Sequence, residues 1–217
     1  MPTRRCRRNT RASRRSEASV QWFRRLAWRR RFAAADVAGR LEALDALPTA
    51  RAAAWARDER AAALRDGSPV VRARAADLIV AASELATLLA ALEDPDPAVR
   101  AESAEAIGDL GDPATVEPLV KATRDTALAV RSHAAYALGE LGQLSAVPAL
   151  VALLSDREAA VRRIATYALG NIGDPSAIEP LIDALADADP EVRAAASTAM
   201  HRLEDARTGE HRPVRAG

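Results

Sequence analysis

Apolar residues in the middle of this chain recur at helical spacing, in two stripes per unit. Val99, Ser103, Ala106, Ile107 and Leu110 mark the face of one amphipathic helix. After a break at Gly111-Asp112-Pro113, Val116, Leu119, Val120 and Thr123 mark a second. The stripes then repeat. Ala137, Ala168 and Ala199 stand where Ala106 stands, and Leu138, Leu169 and Met200 where Ile107 stands, so the period is 31 residues. Val99-Arg100, Val130-Arg131, Val161-Arg162 and Val192-Arg193 keep that spacing, each valine five residues after Asp94, Asp125, Asp156 or Asp187.

The residues between the stripes are helix punctuation. Asp96-Pro97, Ser68-Pro69 and Asp189-Pro190 place a capping side chain before a proline, whose missing N–H costs nothing in the first helical turn. These start a helix A. Gly108 and Gly111, with Gly139, Gly142, Gly170 and Gly173, are expected to end it, because glycine tolerates the left-handed conformation of a helix stop. Asp112-Pro113 and Asp174-Pro175 open a helix B by the same capping logic. Each unit is thus an antiparallel helix pair, and a period of this length built from such pairs describes a solenoid whose repeats pack on their neighbours. The prediction is all-α: a right-handed α-α superhelix of about five to six helix pairs.

Four segments follow from this reading. Residues 1–32 form a basic, irregular tail; 33–65 a capping helix pair; 66–204 the repeats, opening with a shortened unit around Val71-Arg72; and 205–217 a polar tail. His201 and Glu204 replace the turn glycines of the last unit, which is expected to stop after helix A.

The pattern Asp-x-Asp-Pro-x-Val-Arg-x-x-Ala-x-x-Ala-Leu-Gly-x-Leu-Gly-Asp-Pro-x-x-Val/Ile-x-x-Leu stands at 94–124 and, with changes, at 125–155 and 156–186. It resembles the HEAT-type repeat of the phycocyanobilin-lyase subfamily. The resemblance implies an armadillo-like α-solenoid and admits several roles: a scaffold for protein partners, a bilin-lyase-like factor acting on a partner protein, or a deoxyhypusine hydroxylase. The last would need His-Glu pairs for two irons, and His133, His201 and His211 are followed by Ala134, Arg202 and Arg212. No metal or other cofactor is expected, and no catalytic residue is assigned.

Charge divides the chain. Residues 1–92 carry a net charge of +10 and residues 93–217 one of −9, which the overall +1 conceals. The lone Cys6 has no disulfide or metal-ligand companion, and no apolar run of about 18 residues exists, so the expectation is a cytoplasmic protein without a membrane span.

Three groups of candidate residues emerge. The aspartates and arginines Asp94, Arg100, Asp125, Arg131, Asp156, Arg162, Asp187 and Arg193 recur in every unit, so stacking needs them, through an Arg-carboxylate bond at each inter-repeat turn. On helix B, Glu117, Lys121, Pro148, Ala152, Glu179 and Asp183 point away from the core. They would line a concave groove with an apolar centre and an acidic end, suited to a basic or amphipathic protein segment. In the tail, Arg24, Arg25, Trp28, Arg29, Arg30 and Arg31 interleave arginine with aromatics, a composition that can hold nucleic acid or another anionic surface. His133, Tyr136 and Tyr167 form an aromatic row on helix A, read as ridge filling. A protein partner is the first reading and nucleic acid, through residues 1–31, the alternative; oligomeric state is left open.

Overall fold

The computed structural model describes residues 21–48 and 54–208. By internal contacts the chain divides into two units, Met1–Ile79 and Val80–Gly217. All regular elements among the described residues are helical.

In the second unit, α6 (Pro97–Leu110), α8 (Leu128–Leu141), α10 (Ala159–Ile172) and α12 (Pro190–Thr208) are the A helices. The B helices are α5 (Leu85–Ala91), α7 (Val116–Ala122), α9 (Val147–Leu153) and α11 (Ile178–Ala184). Each B helix is entered through a 3₁₀ turn. Asp112 and Asp174 cap two of these turns, accepting from the N–H of Ala114 and Ser176. Asp96 caps α6, accepting from the Ala98 N–H. The A helices stack in sequence, and each B helix packs against the A helix that follows it. Their shared core holds Val99, Ile107, Leu119, Val130, Leu138, Leu150, Val161, Leu169 and Leu181, none more than 1% exposed. Burying one such side chain is worth about 1.5–3 kcal/mol, so every repeat adds several.

The two turn glycines do different work, which corrects the sequence reading. Gly111, Gly142 and Gly173 are left-handed, at φ +68°, +64° and +73°, and stop their helices. Gly108, Gly139 and Gly170 lie inside the helices, where a Cβ would fall 2.6–2.8 Å from the Cβ of Ala137, Ala168 or Ala199 and nearly as close to its Cα. Their role is close approach of backbones. Where His201 and Glu204 replace both glycines, α12 has no stop and runs to Thr208, past the boundary expected at residue 204.

The first unit contains α1 (residues 21–34), α2 (Val37–Asp45), α3 (Ala54–Ala63) and α4 (Pro69–Asp77). Its buried apolar residues include Leu44, Ala56, Ala63, Val71, Ala75 and Ile79. Residues 21–32, expected as irregular tail, are helical here. Trp28 donates from Nε1 to the Ala43 carbonyl at 2.7 Å and stacks on Phe32. Glu59, nearly fully buried, accepts from Arg25 at 2.5 Å and Arg29 at 2.9 Å, which pins α1 to α3. A buried carboxylate needs paired donors, and α1 supplies them. Residues 1–20 of the expected tail lie outside the described residues.

Candidate interaction site

The recurring arginines and aspartates build a regular ladder. Arg100 donates from Nε and Nη2 to Asp125 at 2.7 and 2.9 Å, and its Nη1 reaches the Asp94 carbonyl at 2.8 Å. Arg131 makes the same three bonds to Asp156 and the Asp125 carbonyl, and Arg162 to Asp187 and the Asp156 carbonyl. Each aspartate also accepts from the N–H two residues on, which shapes the turn. Every rung therefore ties an A helix to the turn after its own B helix. The Arg100 fork holds the Asp125 carboxyl below its usual range, as Arg162 does for Asp187. At Asp156 burial pushes the other way, but Arg131 and the Glu158 N–H outweigh it.

Two features of the ladder were not legible as a 31-residue echo. Arg40 in the first unit lies 3.2 Å from Asp66, an ion pair at a spacing of 26 residues without the two-bond fork, and donates to the Ala35 carbonyl five residues before it. The segment read as a cap thus carries a looser form of the rung. The rung expected at Arg193 has no aspartate: Arg193 donates only to the carbonyls of Asp187 and Ala188 among the described residues. This corrects its place as a closed rung.

On the B helices, Glu117, Lys121, Pro148, Ala152, Glu179 and Asp183 are all exposed. The side chains between successive B helices leave open grooves. One, of about 1000 Å³, runs between α5 and α7 past Leu89, Leu92, Glu93, Glu117 and Lys121. Another, of about 360 Å³, runs between α9 and α11 past Val151, Leu154, Glu179, Pro180 and Asp183. Lys121 pairs with Glu93 at 2.6 Å, both ends solvated, so the pair contributes little and is easily displaced. Charge therefore runs from mixed at α7, through uncharged at α9, to acidic at α11.

The arginines of α1 are sorted by packing. Arg25 and Arg29 are committed to Glu59, Trp28 to Ala43, and Arg31 to Glu42 at 3.4 Å. Arg29 and Arg31 nonetheless stay more than half exposed, and Arg24, Arg30, Trp22 and Phe23 are exposed too. On helix A, Tyr136 and Tyr167 stack at 6.3 Å, and the Arg202 guanidinium lies 5.0 Å above the Tyr167 ring. His133 lies 3.0 Å from Glu105. These contacts link neighbouring repeats, and Arg202 could not be paired with Tyr167 from sequence because their helices are separate stripes. No group of three or more metal-ligating side chains exists among the described residues. No described helix is long and apolar enough to cross a membrane.

Repeated helix pairs joined by conserved-spacing rungs define a HEAT-type α-solenoid. The HEAT-repeat sequence profile matches residues 58–128, 85–165 and 116–201, and the chain belongs to that family. Among solved structures it is similar to the CpcE–CpcF complex of phycocyanin lyase from Nostoc sp. PCC7120, at 26% identity and a TM-score of 0.62, over 71% of this chain and 67% of that one. It shares its fold with YIBA_ECOLI (20% identity, TM-score 0.63, covering 89% and 79%). The fold is also that of a designed armadillo repeat protein solved with the peptide (KR)4 (20%, 0.60, covering 82% and 98%). No curated protein matches the chain significantly.

Proposed function

We propose that this protein is a non-catalytic interaction module that holds a basic or amphipathic protein segment along the exposed face of its B helices. The observation that carries this reading is the graded row on α7, α9 and α11. Apolar groove walls at Leu89, Leu92, Val151 and Leu154 alternate with outward carboxylates at Glu117, Glu179 and Asp183. An amphipathic segment fits both: its apolar side chains enter the grooves and its cations meet the carboxylates, which are exposed and free to reorient. The likeness to phycocyanin lyase, whose structure is a complex of CpcE with CpcF, supports a protein partner.

The test is affinity purification of the tagged protein from its host, with and without Glu179→Lys/Asp183→Lys, followed by identification of what is retained. Residues 1–20 are removed in a parallel sample, which leaves α1 intact, and a third is treated with nuclease. The reading expects one defined protein that survives truncation and nuclease and is lost with charge reversal. Retention undiminished by charge reversal, or dependent on nucleic acid, overturns it.

A second reading, a lyase-like factor acting on a chromophore-bearing partner, rests on the 26% identity with phycocyanin lyase. Visible absorbance co-purifying with the protein is its signature, and colourless protein from a chromophore-producing host refutes it.

A further inference from the structure

Helices α11 and α12 present, among the described residues, half of an inter-repeat interface. At each interior repeat two things close together: the arginine of helix A takes the aspartate that follows the next helix B, and successive B helices face each other across a groove. Here α11 packs on α12 as each B helix packs on the A helix after it, but among the described residues the arginine meets no aspartate and no further B helix faces α11.

Arg193 occupies the position of Arg100, Arg131 and Arg162. Its Nη1 is held at 2.7 Å from the Asp187 carbonyl and 2.9 Å from that of Ala188, the same anchor those three use. Its remaining donors are exposed and have no partner among the described residues. The guanidinium is thus oriented for a carboxylate and holds none among the described residues. Met200 is half-buried where its equivalents Ile107, Leu138 and Leu169 are fully buried. On α11, Ile182 and Leu185 are 44% and 41% exposed. Their equivalents on α9, Val151 and Leu154, are half-buried in the groove whose other wall is Pro180 and Asp183 of α11. At the interior repeats that place is held by the next B helix and its acidic turn, which no described residue supplies beside α11 and α12.

We propose that this end docks, in trans, an amphipathic helix followed within three residues by an aspartate. Its apolar face would cover Met200, Ile182 and Leu185, and its carboxylate would complete the rung at Arg193. The geometry is that of the interface already closed three times in the same unit, where Asp187 stands three residues beyond the last residue of α11. A preoriented guanidinium selects a planar carboxylate by two parallel hydrogen bonds, and the apolar row supplies the area. This surface lies apart from the α5–α7 groove but shares α11 with the face of the proposed function, where Ile182 and Leu185 neighbour Glu179 and Asp183.

The chain contains its own probe. A labelled peptide of residues 174–190, which carries the α11 sequence through Asp187, would be held helical by a side-chain bridge on its outer face. That removes the cost of ordering a short isolated helix. Binding to the full chain would be followed by fluorescence anisotropy. The proposal expects saturable binding, weakened at least tenfold by Arg193→Ala or Leu185→Asp in the protein and by Asp187→Asn in the peptide. Glu117→Lys in the protein should leave it unchanged. Thermal melting confirms that the variants fold; all three protein positions are solvent-facing. Absence of binding overturns the proposal. So does binding indifferent to Arg193 and Leu185, or binding lost with Glu117→Lys, which would put the peptide in the B-helix groove instead.

Discussion

Arg131 and Asp156 meet as two parallel forks, Nε and Nη2 of one lying 2.7 and 2.9 Å from the two carboxylate oxygens of the other, with both side chains less than 10% exposed. The pair joins the start of α8 to the turn after α9, so it ties one repeat to the start of the next. Its removal should therefore be felt across the whole unit. Arg131→Ala leaves Asp156 as a shielded carboxylate without its cation, and a loss of about 3 kcal/mol is expected. Arg193→Ala breaks no ion pair among the described residues and should cost under about 1 kcal/mol. Urea unfolding of the two variants side by side measures the difference.

Acid should unfold the second unit through the same rungs. Asp125, Asp156 and Asp187 are held below the usual carboxylate range, so their contribution is fully present above about pH 4, the unfolded value. It is lost as pH falls through the lower folded values, where the native state must take up protons. Unfolding midpoints should stay level from neutral pH to about pH 5 and fall steeply below about pH 4. In Arg131→Ala the fall should be shallower, because one linked carboxylate has lost the partner that depressed it.

The two glycines of each turn predict opposite kinds of damage from the same substitution. Gly142→Ala places a Cβ in open space but at φ +64°, and strains only the helix stop, by about 1–2 kcal/mol. Gly139→Ala keeps ordinary helical angles and gains helix propensity, yet its Cβ would lie 2.7 Å from the Ala168 Cβ and 2.8 Å from its Cα. Backbone cannot swing aside, so α8 and α10 must separate, and about 1–3 kcal/mol is lost with the packing of the repeats on either side. Adding Ala168→Gly to Gly139→Ala should recover part of that loss and should do nothing for Gly142→Ala, a contrast that thermal denaturation of the double variants reads.

Glu59 holds α1 through Arg25 and Arg29. Glu59→Ala should release that helix and expose its inner face at Trp28, and trypsin should then cleave within residues 24–31 well before the rest of the chain. Asp45→Ala, which removes only a solvent-exposed pair with Arg74, is the control and should leave cleavage at α1 unchanged.

Much of the second unit was legible in the sequence because its information is local and repeated. Apolar spacing names the helices, Asp-Pro names their starts, and a valine-arginine step at a constant distance from an aspartate names the rung. Each of these depends on residues within one or two turns of one another, and repetition averages away the ambiguity of any single copy.

Tertiary structure decided which of two identical residues does which work. Gly139 and Gly142 read alike along the chain, but one faces the Ala168 backbone and the other faces solvent, and only the stacking of α8 on α10 distinguishes them. The basic start of the chain reads as one solvated cluster. A buried acid, Glu59, turns two of its arginines inward, since a carboxylate removed from water binds whatever cation the fold brings to it. The rungs themselves follow the same rule: the sequence by itself determined that an arginine and an aspartate recur, and geometry across the repeat decided that three arginines are satisfied while Arg193 is left facing outward.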